Sequence, residues 1–264
     1  MNQFLSKEER NLIDEYIETG YIIRKVDSNL YEKIRSVISN VIYKHLNLNR
    51  SIGFDEILNN SHKYIDISKL NDIRLKIFNE VNSIKEFRRN YYEISKPYLD
   101  TIVGNELVMQ KKINLSIQLP NDDSSLLDVH ADTWSGDSPY EAVVWLPLVN
   151  CFNTKSMFIL PPRKALELDK NFQKYSSQGS DVLFSEISNS VEWIEINSGE
   201  IMIFNQALPH GNRINQESES RWSMNCRFKS VFSPYGDKKL GEFFEPINLR
   251  ATSLIGMQYK YPKV

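Results

Sequence analysis

The hydrophobic residues of this chain change their spacing near residue 105, and this change limits the fold more than any other feature. Before it, apolar side chains recur every three to four residues, as on one face of an α-helix. After it, they alternate with polar side chains over short segments, as in half-buried β-strands. Helices followed by short strands predict an α+β fold, mainly β in its core, built around an antiparallel sandwich or barrel.

The first half contains helical segments separated by turns. Ser6 precedes an acidic first turn, as a helix N-cap does, and Gly20 ends that helix. Residues 21–26 form a short β-type run. Apolar residues at helical spacing then predict a helix over 29–46 and a helical region over 73–98, continuous or interrupted, that ends before Pro97 or soon after it.

The second half contains β-type segments at 107–119, 141–149, 156–160, 191–196, 200–204 and 221–231. Between 191–196 and 200–204 lies Asn197-Ser198-Gly199, a turn sequence that predicts a β-hairpin. We predict one domain, 1–264. In it, residues 1–105 form a mostly helical buttress, and residues 106–264 form the β-rich core and a C-terminal tail.

The net charge of the chain is close to zero and does not point to a polyanionic partner. Lys and Arg number 32 against 34 Asp and Glu, so there is no electrostatic reason to predict nucleic acid or an anionic membrane. The first residues lack the apolar segment of a secretory signal. Cys151 and Cys226 lie in β-type runs and are expected to be buried thiols in a cytoplasmic protein. Nothing in the sequence specifies an oligomeric state.

Two histidines and one aspartate have the spacing of metal ligands. His130 and Asp132 form a His-x-Asp pair after a polar loop, and residues two apart in an extended segment point to the same side. His210 follows a predicted strand and can approach them from a facing one. Two imidazoles and a carboxylate suit ferrous iron, because they leave open coordination positions. A His-x-Asp pair alone also occurs often by chance, beside a turn-forming aspartate.

A later strand offers a cation for a cosubstrate. Arg221 follows His210 by 11 positions (221 − 210), and Ser223 lies on the same strand face. The planar guanidinium of arginine binds a carboxylate through two hydrogen bonds. Arg213 competes for this role, but we prefer Arg221 because the start of a strand holds a guanidinium more rigidly than a loop.

Together these residues resemble the Fe(II)/2-oxoglutarate-dependent oxygenase superfamily, and within it the phytanoyl-CoA dioxygenase-like branch. More closely, the chain resembles bacterial oxygenases of surface-carbohydrate gene clusters. The stretches that carry this likeness are NLSIQLPNDDSSLLDVHADTWSGDSPYEAVVWLPLVNC, KSMFILPP and GEIMIFNQALPHGN. The chain departs from the branch at residues 153–163, which lack its Asn-Gly segment and Pro-Gly-Ser-His turn. Acyl-CoA specificity is therefore not transferred.

The resemblance implies a double-stranded β-helix, or jelly roll, with N-terminal helices packed on one sheet. It implies Fe(II) held by His130, Asp132 and His210, with 2-oxoglutarate held by Arg221 and with O₂ as the oxidant. Halogenating relatives lack the aspartate, so Asp132 favours hydroxylation. The implied substrate is a sugar or sugar-linked intermediate of a bacterial surface polysaccharide. A lipid or acyl substrate, a cupin-like sugar epimerase or isomerase, and a non-catalytic jelly-roll binding protein are the alternatives.

Further side chains are candidates on weaker grounds. Gln118 and Ser156 can reach the cosubstrate if they point inward, and the alternative for Gln118 is a solvent-facing position. Candidate substrate contacts are Trp134, which suits stacking on a sugar ring, and Asn225 and Arg227, which continue the face of Arg221. Residues expected to be structural or solvated are His45, His62, Trp145, Asp122 and Asp123.

Overall fold

The computed structural model describes residues 4–175 and 178–263. Its N-terminal part comprises α1 (Lys7–Thr19), β1 (Tyr21–Lys25), α2 (Ser28–Leu46), α3 (Phe54–Asn59), α4 (Leu70–Ser83) and α5 (Lys85–Ile102). The start of α1 is a capping box: Ser6 Oγ accepts from the backbone of Glu9, whose carboxylate accepts from the backbone of Ser6. Gly20, at φ 84°, ends the helix as expected.

The helical region over 73–98 is interrupted and forms two helices. Ile84 has an extended backbone that separates α4 from α5. Of the two predicted ends, the one before Pro97 is wrong, because α5 continues through this proline to Ile102. Proline removes one helical hydrogen bond. Burial of Ile94 and Leu99 on the inner face of α5 offsets that loss.

The β-rich part forms two antiparallel sheets. The larger one follows the order β1-β7-β4-β9-β2-β10, with β3 paired to β9 beside β2. The smaller one has the order β6-β5-β8. The strands are β2 (Leu107–Gln110), β3 (Asn114–Gln118), β4 (Glu141–Pro147), β5 (Phe158–Ile159), β6 (Glu192–Trp193), β7 (Glu200–Asn205), β8 (His210–Gly211), β9 (Arg221–Ser230) and β10 (Phe244–Asn248). This is a jelly-roll core with N-terminal helices, as predicted.

The strand β9 separates the helical layer from the interior of the jelly roll. Trp222 points outward and donates from Nε1 to Ser61 Oγ at 2.5 Å, in the helical layer. From the helix side, Tyr91 on α5 places its hydroxyl 3.0 Å from Val144 O. Arg221 and every second residue after it on β9 point the opposite way, into the jelly roll. Helices therefore buttress one face of the larger sheet and leave the other face for a site.

The predicted hairpin is wrong in its pairing, although its turn exists. Glu200 N donates to Asn197 O at 3.0 Å, and Gly199 has a φ of 90°. Yet β6 belongs to the smaller sheet and β7 to the larger one. A turn sequence determines a local bend, but long-range packing decides which strands pair. The chain therefore crosses between the two sheets here.

The strand patterns also did not reveal α6 (Pro162–Asp169), α7 (Ser180–Ile187) or α8 (Ala251–Gln258). The first two lie between β5 and β6. Cys151 and Cys226 are buried free thiols, as predicted. Among the described residues, no helix is both long and apolar enough to cross a membrane.

Candidate metal and cosubstrate site

Backbone pairing brings the three predicted metal ligands together. His130 and His210 exchange two backbone hydrogen bonds, of 2.9 and 2.8 Å, although they are 80 positions apart (210 − 130). The backbone N–H of Asp132 donates to Gln206 O at 3.0 Å. As a result, one ligand atom from each of His130, Asp132 and His210 lies within 4.8 Å of the others. Main-chain hydrogen bonds thus position a facial set of two imidazoles and one carboxylate.

Both imidazoles are oriented by carbonyl groups. The Nδ1 atom of His130 lies 2.7 Å from Asp128 O, and that of His210 lies 2.8 Å from Leu208 O. A carbonyl only accepts, so in the neutral form of each ring Nδ1 carries the proton and Nε2 keeps a free lone pair. Burial, and then the neighbouring His130, lowers the pKa of His210 to about 4. His210 is therefore neutral near pH 7, which is the form that binds a metal.

One carboxylate oxygen of Asp132 faces the site, and the other is bound by Arg227. Its Oδ2 lies 2.8 Å from Arg227 Nη2, whereas Oδ1 lies 3.7 Å from His130 Nε2. Burial raises the pKa of Asp132, but the charges of Arg227 and His210 outweigh burial, so the pKa is lowered overall. The carboxylate is therefore ionised and available as a ligand.

The contact of Arg227 with the substrate stays a prediction, and its guanidinium also binds other groups of the protein. Besides Asp132, it contacts Gln206, since its Nε donates to Gln206 Oε1 at 2.8 Å. Asp137 lies 3.7 Å from the same Nε and also pairs with Lys238. Arg227 lines the cavity, and it also holds Asp132, a predicted metal ligand. Its place two residues beyond Asn225 on β9 was the signal in the sequence.

A cavity of about 320 Å³ extends from the three ligands along the inner face of the larger sheet. Arg221 and Ser223 on β9 line it together with His130, Asp132 and His210. The wall is completed by Asn114, Ser116, Leu127, Val143, Trp145, Met157, Phe204, Gly211, Asn212, Asn225 and Arg227. The pleat of β3, β4 and β9 explains this set, because cross-strand partners point to the same side.

Arg221 is a buried cation without a counterion. It is 3% exposed, and within the described ranges no carboxylate lies at ion-pair distance from it. Its Nη1 donates to Ser156 O at 2.9 Å, while its Nε has no hydrogen-bond partner. Burial lowers its pKa. A buried charge is costly unless paired. A carboxylate in this cavity would complete the site, so the residues fit 2-oxoglutarate.

Arg213 does not compete for this position. Its Nη1 lies 2.8 Å from Asp181 Oδ1 on α7, and its guanidinium lies over the ring of Phe184 at 4.7 Å. Arg213 is absent from the lining of the cavity. The geometry therefore favours Arg221 between the two arginines.

Of the remaining candidates, one lines the cavity and the others lie outside its lining. Asn225 lines the cavity, and its Oδ1 accepts from Asn114 Nδ2 at 2.9 Å. Neither the side chain of Gln118 nor that of Ser156 lines the cavity, and their contact with the cosubstrate stays a prediction. Both are buried beside Arg221. Gln118 is the cross-strand partner of Arg221, and the backbone carbonyl of Ser156 accepts a hydrogen bond from Arg221. Trp134 also lies outside the lining and contacts Phe172, with ring centroids 4.7 Å apart.

Outside the site, most of the expected structural roles are present. His45 Nε2 lies 2.8 Å from Glu80, and His62 Nδ1 lies 3.1 Å from Ser220 Oγ. The prediction that Asp122 is solvated is wrong, because this residue is fully buried. Its carboxylate accepts from the backbone of Ser124 at 2.8 Å, so it holds the loop before His130 in shape.

No protein-family model matches the chain. No curated protein matches it in sequence. Solved structures match it over most of its length. The nickel complex of the non-heme monooxygenase ThoJ has a TM-score of 0.56 at 14% identity, covering 92% of this chain and 85% of that one. EctD from S. alaskensis, with 2-oxoglutarate and 5-hydroxyectoine, has a TM-score of 0.57 at 13% identity, and the match covers 88% of this chain and 78% of that one. The non-heme α-ketoglutarate-dependent carbocyclase SnoK from nogalamycin biosynthesis has a TM-score of 0.55 at 15% identity, and the match covers 93% of this chain and 98% of that one.

At these identities the similarity shows the fold. The chain has the double-stranded β-helix fold of non-heme, 2-oxoglutarate-dependent oxygenases.

Proposed function

We propose that this protein is an Fe(II)- and 2-oxoglutarate-dependent oxygenase that hydroxylates a C–H bond of a small metabolite. The observation that carries the proposal is one cavity containing both His130-Asp132-His210 and the buried guanidinium of Arg221, which has no carboxylate partner among the described residues. A cupin-like epimerase or a binding protein has no need of a buried cation beside the metal ligands. The two features together therefore favour an oxygenase over those alternatives.

The residues have separate tasks. His130, Asp132 and His210 hold the iron, and Arg221 holds the distal carboxylate of 2-oxoglutarate with help from Ser223. When bound, iron and 2-oxoglutarate supply the activation of O₂ and the oxidising power. The chain orients the imidazoles through Asp128 O and Leu208 O and keeps Asp132 ionised through Arg227. Cavity walls such as Val143 and Phe204 exclude bulk water.

For the substrate we propose a sugar or sugar-linked intermediate of a bacterial surface polysaccharide. Support comes from the likeness of residues 114–228 to oxygenases of carbohydrate gene clusters, within the phytanoyl-CoA dioxygenase-like branch. The amides of Asn114, Asn212 and Asn225 in the cavity wall provide polar groups suited to hydroxyls. A cytoplasmic location, argued from the two free thiols, belongs to the same proposal.

Anaerobic titration with Fe(II) and 2-oxoglutarate tests the enzyme class. We expect a weak visible charge-transfer band from 2-oxoglutarate chelated to ferrous iron, and we expect His130→Ala to abolish it. Arg221→Met should retain iron but weaken 2-oxoglutarate binding about tenfold or more, because a charge-assisted pair is lost. Arg213→Met is the matched control and should bind normally.

Folded, iron-loaded protein without the band and without affinity for 2-oxoglutarate would overturn the proposal. If Arg213→Met rather than Arg221→Met lost the affinity, the enzyme class would stand and the position of the cosubstrate would be wrong.

A further inference from the structure

A second cavity, of about 460 Å³, adjoins the first one. Both cavities are lined by Asn114, Ser116, Leu127 and Asn225, so they share a wall at the strand β3. On its other side this second cavity is bounded by the start of α4 and by residues of the loop 124–127. It therefore extends the site away from the metal ligands, along the helical buttress.

The size of the first cavity calls for such an extension. Small-molecule sites usually span roughly 300–1,000 Å³, and the first cavity is at the lower end of this range. It also has to hold 2-oxoglutarate in addition to the reacting part of a substrate. The remainder of a sugar-linked substrate then has to lie outside it, and the second cavity is directly adjacent.

Arg74 on α4 provides the charge of the second cavity. Its Nη2 donates to Asn71 Oδ1 at 2.7 Å, and its Nη1 lies 3.5 Å from Leu115 O. No carboxylate within the described ranges forms an ion pair with Arg74, whereas Lys76 on the same helix pairs with Asp72 at 2.7 Å. Arg74 is thus held by neutral acceptors and keeps its charge available to a ligand.

The acidic groups near the second cavity do not cancel this charge. Asp122, beneath the loop that forms the opposite wall, is fully buried and accepts hydrogen bonds from Ser124 N and Ser125 Oγ. Asp123 is exposed and does not line the cavity. Ser124 and Ser125 themselves line it and add polar groups opposite Arg74.

We propose that the second cavity binds an anionic group of the substrate, a phosphate or a carboxylate, and that Arg74 recognises it. This inference rests on the proposed function, because it assigns the cavity to the substrate of the same site. Arg74 does not line the first cavity, so its ligand is distinct from the 2-oxoglutarate carboxylate assigned to Arg221. The substrate is then an elongated molecule whose reacting carbon lies at the metal and whose anionic group lies at α4.

Calorimetry on the iron- and 2-oxoglutarate-loaded protein, without oxygen, tests the inference. The probes are glucose, glucose 1-phosphate and glucuronate, which differ in their charged group. We expect one or both anionic probes to bind about tenfold more tightly than glucose, which corresponds to ~1.4 kcal/mol. Arg74→Gln should remove this preference, and Lys76→Gln, an equal charge loss on the same helix, should keep it. Which anionic probe binds distinguishes a phosphate from a carboxylate.

A second measurement needs no variant. Phenylglyoxal modifies accessible arginines, and glucose 1-phosphate or glucuronate should slow its reaction at Arg74 but not at Arg89, which is 72% exposed. Equal affinity for all three probes, or a preference that survives in Arg74→Gln, would overturn the inference. Retention of the charge-transfer band in Arg74→Gln separates this outcome from a failure of the proposed function, in which the wild type lacks the band.

Discussion

Arg227 holds Oδ2 of Asp132 at 2.8 Å and thereby leaves Oδ1 as the oxygen that faces His130. The same guanidinium is fixed by Gln206, whose backbone carbonyl accepts from the N–H of Asp132. The ligand and its support are therefore tied to the same two elements, β9 and the turn after β7. A metal held at this site would be bound by the free oxygen of Asp132, and Arg227 would orient that carboxylate.

Replacing Arg227 by Met should weaken Fe(II) binding roughly 10–100-fold, as is typical when an outer-shell partner of a ligand is removed. Arg227→Lys should restore part of the affinity, because it keeps the charge but not the planar pair of donors. Anaerobic Fe(II) titration measures the effect, with Arg213→Met as the control. An unchanged dissociation constant in Arg227→Met would show that Asp132 needs no support.

Tyr91 ties the helical layer to the larger sheet. Its fully buried hydroxyl lies 3.0 Å from Val144 O and 3.2 Å from Met224 O, on β4 and β9. Tyr91→Phe should lower the free energy of unfolding by ~0.5–1.5 kcal/mol, and Tyr91→Ala by ~3–5 kcal/mol because it also leaves a cavity. Urea unfolding measures both values. The neighbouring Tyr92→Phe should have a smaller effect, since Tyr92 is partly exposed; an equal loss there would contradict the role of Tyr91.

Glu141 should make stability depend on pH. Burial raises its pKa, and Asp137 raises it further, although the hydrogen bond from Gln206 lowers it. Because its folded pKa exceeds its unfolded pKa of about 4.3, its contribution is complete below that value. The contribution is then lost as the pH rises through the folded pKa.

The variant Glu141→Gln has no ionisable group at this position, so its stability lacks this pH dependence. The stability of the wild type relative to Glu141→Gln should therefore fall as the pH is raised from about 4 and should level off above the folded pKa. Urea unfolding of both proteins across a pH series measures the difference. A difference that is constant with pH would mean that Glu141 has an ordinary pKa in the folded protein.

The two cysteines should be unreactive in the folded protein. Burial raises the pKa of Cys151 to about 11 and that of Cys226 to about 12. At a pH of about 8 neither forms much thiolate, which is the reactive species. A disulfide exchange reagent should therefore release no colour until urea unfolds the chain, and then two equivalents. Rapid reaction of the native protein would show that one thiol is accessible.

The sequence by itself determined the local features of this protein. The capping box at Ser6, the stop at Gly20 and the alternation of β9 depend on neighbouring residues, so they were predictable. The ligand types were also readable, because His130 and Asp132 lie two apart and because His210 follows a strand. The proposed role of Arg221 rests on the same logic of residue type and spacing.

Only the tertiary structure decided which strands pair and what each buried group meets. The turn at residues 197–199 joins two different sheets, and α5 runs through Pro97, because burial over the whole fold outweighs local preference. The structure also distinguished Arg221, buried without a counterion, from Arg213, which pairs with Asp181. Contacts between distant segments set these outcomes, and a single sequence carries no direct signal of which segments meet.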